Sequence, residues 1–222
     1  QIGPQGKVHI YEPSNYSYAI MSRLIRWHGL KNVTPHNTAI GAAVRLEDAF
    51  AALVRRRPQL QTFATRFAGL PVRNAGTLGG NVANGSPIGD GAPILLALNA
   101  SLVLRKGSQT RELPLSAFYL DYMKNALTEG EWIQSISVPL LQATQGEVMR
   151  AYKVSKRRDS DISALCAGLY LRLQGDTITE ARLGWGGMAA TAKRASQAEA
   201  EVSEGCGHTV SVRLGETETI EY

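Results

Sequence analysis

Residues 73–90 read RNAGTLGGNVANGSPIGD, a stretch with five glycines, three asparagines and one proline. The chemistry such a stretch supports is ligand contact by the main chain. Gly76, Gly79, Gly80, Gly85 and Gly89 allow positive φ or close approach, and successive free N–H groups in such a turn form a concavity for an anion. Phosphate is the ligand that suits it. Thr77, Gly79, Gly80 and Asn81 offer amides and short polar side chains, while Ser86 and Asp90 add a hydroxyl and a carboxylate. Two plainer readings compete. The loop could simply turn the chain, and Asp90, just ahead of the apolar run at residues 93–98, could serve as the favourable negative charge at a helix start.

Composition excludes several other chemistries. Two cysteines, Cys166 and Cys206, cannot form a disulfide framework or a four-ligand zinc or iron–sulfur site, so any cluster must sit on a partner. His9, His28, His36 and His208 show no ligand spacing. The net charge of +5 is spread over short clusters such as Arg55-Arg56-Arg57 and Lys156-Arg157-Arg158 without interleaved aromatics, which reads as a solvated face rather than a nucleic-acid surface. With 44% hydrophobic and 19% charged residues the composition is that of a soluble domain. No apolar run reaches the ~20 residues that span a bilayer, and the expected location is the cytoplasm.

The elements that must position the loop follow from periodicity. A strand is expected from Ala39, and Leu46, Ala49, Phe50 and Leu53 recur at helical spacing. Leu60, Phe63 and Phe67 mark one face of a second helix ending near Gly69. Residues 93–98 predict a short buried helix. Strands are expected at 101–105 and 111–113 around the Lys106-Gly107-Ser108 turn, and at 131–139, where Trp132, Gln134, Ile136 and Val138 share a face and Ile133 lies opposite. Further strands are expected at 148–154, 165–173 and 178–185, the last two joined at Gln174-Gly175-Asp176-Thr177. A possible short helix at residues 18–27 precedes all of these.

The order of motifs resembles the FAD-binding subunit or domain of the xanthine dehydrogenase (molybdenum hydroxylase) family. It is carried by Phe67-Ala68-Gly69, Gly76-Thr77-Leu78-Gly79-Gly80-Asn81, Ser86-Pro87-Ile88-Gly89-Asp90, Tyr152-Lys153-Val154-Ser155-Lys156-Arg157-Arg158 and Gly186-Gly187-Met188-Ala189-Ala190. The chain departs at Gly91, where relatives usually carry a hydroxyl residue, and in residues 1–37, which lack the family's first pyrophosphate loop. The resemblance implies an α+β fold: the second half of a PCMH-type FAD-binding domain at 38–145, then at 146–195 the start of a small domain like the CO dehydrogenase flavoprotein C-terminal domain. Residues 1–37 and 196–222 are left unmatched.

By the same resemblance the cofactor is FAD. Thr77, Leu78, Gly79, Gly80 and Asn81 fall in its pyrophosphate motif, with Ser86 and Asp90 placed for hydroxyl contacts. Phe67 and Ile133 are placed for apolar contact, although Phe67 reads equally well as core, and Lys153 falls where relatives have a flavin-contacting lysine. The implied activity is that of an oxidoreductase subunit taking electrons from partner iron–sulfur and molybdopterin subunits or domains and passing them through FAD to NAD. The charged segment 156–161 would lie where a nicotinamide approaches, unless it is only a solvated turn. Two other functions stay open: a cofactor-free scaffold derived from this domain, and the flavin subunit of a hydroxylase for carbon monoxide or an aromatic acyl substrate.

Overall fold

The computed structural model describes residues 37–139 and 146–204. In chain order these hold β1 (Asn37–Gly41), α1 (Leu46–Arg56), a 3-10 turn (Pro58–Leu60), α2 (Gln61–Arg66), α3 (Leu70–Ala75), α4 (Leu78–Ala83) and α5 (Gly91–Ala97). There follow β2 (Ser101–Lys106), β3 (Gln109–Pro114), β4 (Tyr119–Asp121), β5 (Lys124–Asn125) and β6 (Trp132–Pro139). The chain then continues through β7 (Glu147–Ser155), β8 (Ser163–Gln174), β9 (Thr177–Gly186), β10 (Lys193–Arg194) and α6 (Ser196–Glu204). One antiparallel sheet has the order β1-β6-β2-β3 and a second has the order β10-β9-β8-β7. The fold is the α+β arrangement expected. The segment at 18–27, the four histidines and Cys206 lie outside the described residues.

The helices follow their apolar spacing. α1 buries Leu46, Ala49, Phe50 and Leu53, and carries Glu47 and Asp48 in its first turn and Arg55 and Arg56 in its last, matching the helix dipole at both ends. The second predicted helix is split. Pro58 starts a separate 3-10 turn, and Phe67, with ψ 103°, is already extended, yet Leu60, Phe63 and Phe67 all stay in the core. Arg73 holds this broken end, donating to the carbonyls of Thr65, Phe67 and Ala68 and to the Glu47 carboxylate. Four helix-end carbonyl and carboxylate partners for one guanidinium use its fork of donors well.

α5 is apolar on every side and wholly buried, as such a helix must be. It lies against β8 and β9 with almost no side chain between. A Cβ on Gly184 would overlap the Pro93 carbonyl, one on Gly168 would come within 2.6 Å of it, and one on Gly186 would meet Pro93 Cγ at 2.9 Å. At the far end, Arg182 stacks its guanidinium 3.7 Å over the Tyr170 ring and donates from Nε to the Ala97 carbonyl.

One strand differs from its pattern. The register of β6 against β2 shifts between Val103 and Leu104, so Ile133 pairs with Leu104 and turns to the buried side with Ile136 and Val138. A bulge adds one residue and reverses the alternation beyond it, which is why Ile133 lies with Ile136 rather than opposite it.

Two outcomes test this packing. Gly184→Ala should force α5 off the sheet and cost about 1–3 kcal/mol, read as a lower thermal midpoint. The second concerns Glu131, which receives Arg111 Nε at 2.7 Å, Arg111 Nη2 at 2.8 Å and the Thr128 N–H at 3.0 Å. The Arg111 hydrogen bond, against the opposing effect of burial, lowers its carboxyl from 4.5 to about 2. Because the ionised form is favoured in the fold, this stabilisation is complete above pH 4.5 and is lost as pH falls towards 2. Glu131→Gln should therefore flatten the acid-unfolding curve in that window, followed by circular dichroism.

Candidate functional site

The glycine-rich stretch is more regular than a bend. α3 ends at Ala75 and α4 begins at Leu78, with Thr77 as N-cap accepting from the Gly80 N–H through Oγ1. This is the ordinary capping role of threonine. Gly76 and Gly79 are glycines for packing reasons: a Cβ on the first would overlap Leu46, and one on the second would overlap Ala42. The Leu78 N–H donates to Val44, Gly79 to Ala42, and Asn81 to the Thr77 carbonyl. The expectation that these amides cradle a diphosphate is therefore corrected. All four, from Leu78 to Asn81, are engaged within the chain: Leu78 and Gly79 because α4 docks on the segment after β1, Gly80 and Asn81 through Thr77.

What the motif leaves for a ligand is side chains. Thr77 keeps its own O–H free to donate while Oγ1 accepts from Gly80. Asn81 Oδ1 is buried with no hydrogen-bond partner and lies over Gly91, where a Cβ would overlap it. The hydroxyl residue usual in the resembled family could not occupy position 91 without moving Asn81. Ser86 is half-buried, and its carbonyl accepts from the Gly89 N–H in the turn before Asp90.

Asp90 stands at the N-cap of α5 but makes no side-chain bond to that helix. Its carboxylate instead reaches the second sheet. Lys153 Nζ donates to Oδ2 at 2.6 Å and to Ser163 Oγ at 2.8 Å, and the Ser163 hydroxyl donates to Asp90 Oδ1 at 2.5 Å. All three are buried, at 8% exposure for Asp90, 6% for Lys153 and 3% for Ser163. The Cys166 thiol beside them donates to the Asp90 carbonyl at 3.7 Å, and burial, reinforced by the Asp90 charge, pushes its ionisation far above the usual thiol range. Cys166 is inert at neutral pH.

The predicted apolar contacts lie in the core. The Phe67 ring is 4.7 Å from that of Phe50 and 5.9 Å from that of Phe63, and Ile133 faces Leu104 across the sheet. Leu78 is also fully buried. Thus the structure brings Asp90 and Lys153 together, sets Asn81 beside Gly91 next to them, and places Phe67, Leu78 and Ile133 within the hydrophobic core. The charged segment docks on α2: the Arg158 carbonyl accepts from Arg66 Nε and Nη2, and Asp161 accepts from the Arg157 and Ile162 amides.

Sequence reading missed Ser163, and it placed Gly186 and Gly187 in a motif of the resemblance without a partner. The Gly187 N–H donates to the Pro87 carbonyl, so the Gly-Gly pair ties the end of β9 to the turn before Asp90. That pair was visible in the sequence; only its contact partner was not.

A buried cation, a buried carboxylate with lone pairs to spare and an unpartnered amide oxygen form a donor and acceptor set that fits the polar parts of a dinucleotide cofactor, through side chains rather than amides. Comparison with known proteins agrees. Residues 17–141 match the family described as the FAD binding domain in molybdopterin dehydrogenase, and residues 150–209 the CO dehydrogenase flavoprotein C-terminal domain. The chain is 41% identical over 128 residues to a nicotinate hydroxylase of Emericella nidulans, which covers 56% of the chain and 10% of that protein. It is 38% identical over 135 residues to the xanthine dehydrogenase of the same organism, covering 60% and 10%. The chain thus spans about a tenth of the length of these curated relatives. Among solved structures, a carbon monoxide dehydrogenase from Hydrogenophaga pseudoflava superposes with a TM-score of 0.71 at 28% identity, over 78% of this chain and 60% of that one.

The ion pair has a direct test. Asp90→Asn or Lys153→Met leaves one buried group without its partner and should destabilise the chain by about 3–5 kcal/mol, while the apolar double variant Asp90→Leu/Lys153→Met should recover most of that loss. Urea unfolding of the three variants measures it.

Proposed function

The chain belongs to the family of FAD-binding domains in molybdopterin dehydrogenases, and on that premise we propose that it is the flavin-binding, electron-transferring part of a xanthine dehydrogenase-like molybdenum hydroxylase. The reading rests on one observation above the others: the FAD-domain match at 17–141 is followed in order by the flavoprotein C-terminal match at 150–209. Bound FAD supplies the exchange between one-electron donors and a two-electron acceptor. Electrons arrive from iron–sulfur and molybdopterin partners and leave to NAD, in the cytoplasm.

The residues named above take these roles. Lys153, fixed by Asp90 and Ser163, places a positive charge that favours an electron-rich ring and keeps one N–H for it. Asp90 accepts a ribityl or ribose hydroxyl on its remaining lone pairs, and the Thr77 hydroxyl, Asn81 amide and Ser86 hydroxyl serve the polar remainder. Gly79, Gly80 and Leu78 hold α4 in place. Phe67 and Ile133 stiffen the apolar wall. The segment 156–161, strapped to α2 through Arg66, sets the approach of the nicotinamide.

For the complete enzyme, the identities of 41% and 38% to proteins named for nicotinate and xanthine support a nitrogen heteroaromatic substrate over carbon monoxide. Incubation of the purified chain with FAD, followed by gel filtration, should leave stoichiometric flavin absorbance on the protein. A colourless protein would instead support a scaffold that has lost its cofactor. Assay of the assembled complex on xanthine, nicotinate and carbon monoxide, each with NAD and with oxygen, separates substrate and acceptor.

A further inference from the structure

Ser163 owes its position to an irregularity that the mechanism so far leaves unexplained. Along β8, Cys166, Gly168 and Tyr170 face inwards, and their partners on β7 include Lys153 opposite Cys166 and Val154 opposite Leu165. Strict alternation would turn residue 163 outwards with Leu165. The register shifts between Val154 and Ser155, so that Ser155 pairs with Ser163, Ala164 is left exposed, and Ser163 turns inwards at 3% exposure. Gly187, at φ 87°, accommodates the displaced strand: a Cβ there would overlap the Ala164 carbonyl. A bulge that re-aims one side chain is a recurrent device beside functional sites.

The hydroxyl so delivered has a determined orientation. It accepts from a lysine, which has only donors, so its hydrogen must go to Asp90 Oδ1, and both observed distances agree with that. Lys153, Asp90 and Ser163 form a closed ring of three hydrogen bonds. Two of the three ammonium hydrogens and one site on each carboxylate oxygen are thereby assigned. With Ser163 absent, Lys153 and Asp90 keep a single contact, about which both side chains can turn.

We propose that Ser163 is a positioning residue of the flavin site: delivered by the β8 bulge, its hydroxyl locks the Asp90–Lys153 pair so that the third lysine N–H and the free carboxylate lone pairs are held for the cofactor. This rests on the flavin reading given above. Lys153, held in this way, stabilises the reduced flavin more than the oxidised one, and Ser163 acts through it without touching the reacting ring.

The test compares wild type, Ser163→Ala and Ser163→Thr for FAD dissociation constant, flavin midpoint potential and thermal midpoint of the flavin-free chain. Ser163→Ala should bind FAD about tenfold more weakly. Its preference for reduced over oxidised flavin should also fall about tenfold, a potential lower by ~30 mV for a two-electron couple. Ser163→Thr, which keeps the hydroxyl, should restore the potential. If Ser163→Ala lowers only the thermal midpoint and leaves potential and affinity at wild-type values, Ser163 is purely structural and the proposal is overturned. A Ser163→Thr chain that binds FAD at the Ser163→Ala potential also overturns it. Wild-type chain that takes up no FAD overturns the flavin reading itself, and the proposal with it.

Discussion

A helix can come within backbone contact of a sheet only where the sheet lacks Cβ atoms, and α5 meets that condition at Gly168, Gly184 and Gly186. Everything near the candidate site follows from this seat. It fixes where α5 begins, and so where Asp90 stands. Arg182 secures the other end of α5 through the Ala97 carbonyl, and the Gly187 N–H secures the preceding turn through Pro87. With both ends tied, Asp90 has one partner surface, the inward side of β7 and β8.

That surface carries a cation. Removing an ammonium and a carboxylate from water costs several kcal/mol per ion, which their attraction offsets only with good geometry and further hydrogen bonds. The ring of Lys153, Asp90 and Ser163 meets both conditions, and Cys166 adds a weak donor at the Asp90 carbonyl. Such a cluster contributes modestly to stability compared with an apolar packing of the same volume. Its benefit is positional: three polar side chains, from the N-cap of α5, from β7 and from β8, hold one arrangement.

Much of this was legible in the sequence. The strands at 148–154, 165–173 and 178–185, the buried helix at 93–98 and the hairpin turns at Gly107 and Gly175, both at positive φ, follow from alternation and glycine placement. Asp90 and Lys153 both fall inside the motifs that carry the family resemblance. What could not be read were the departures from period two. Ile133 and Ser163 each lie beside a register shift, and each faces the side opposite to its alternation. A bulge is set by the pairing of two distant strands, and no local pattern announces it. The engagement of the Leu78 and Gly79 amides escapes a reading of the loop alone for a related reason: their acceptors, at Val44 and Ala42, lie some 35 residues earlier.

The engagement of those amides changes how an anion would be held. A helix start with free N–H groups attracts phosphate through its dipole and its unsatisfied donors together; α4 keeps the dipole, but its first donors are satisfied by Val44, Ala42 and the Thr77 hydroxyl. The groups left with incomplete partners in this region are the Asn81 oxygen, the Thr77 O–H and the third hydrogen of Lys153. Asn81 is the most constrained of these, since its oxygen is shielded from water and sits where any residue larger than glycine at position 91 would collide with it. A buried acceptor without a donor costs about 1–3 kcal/mol. Gly91 and Asn81 therefore act as a pair, the glycine leaving room for the buried amide.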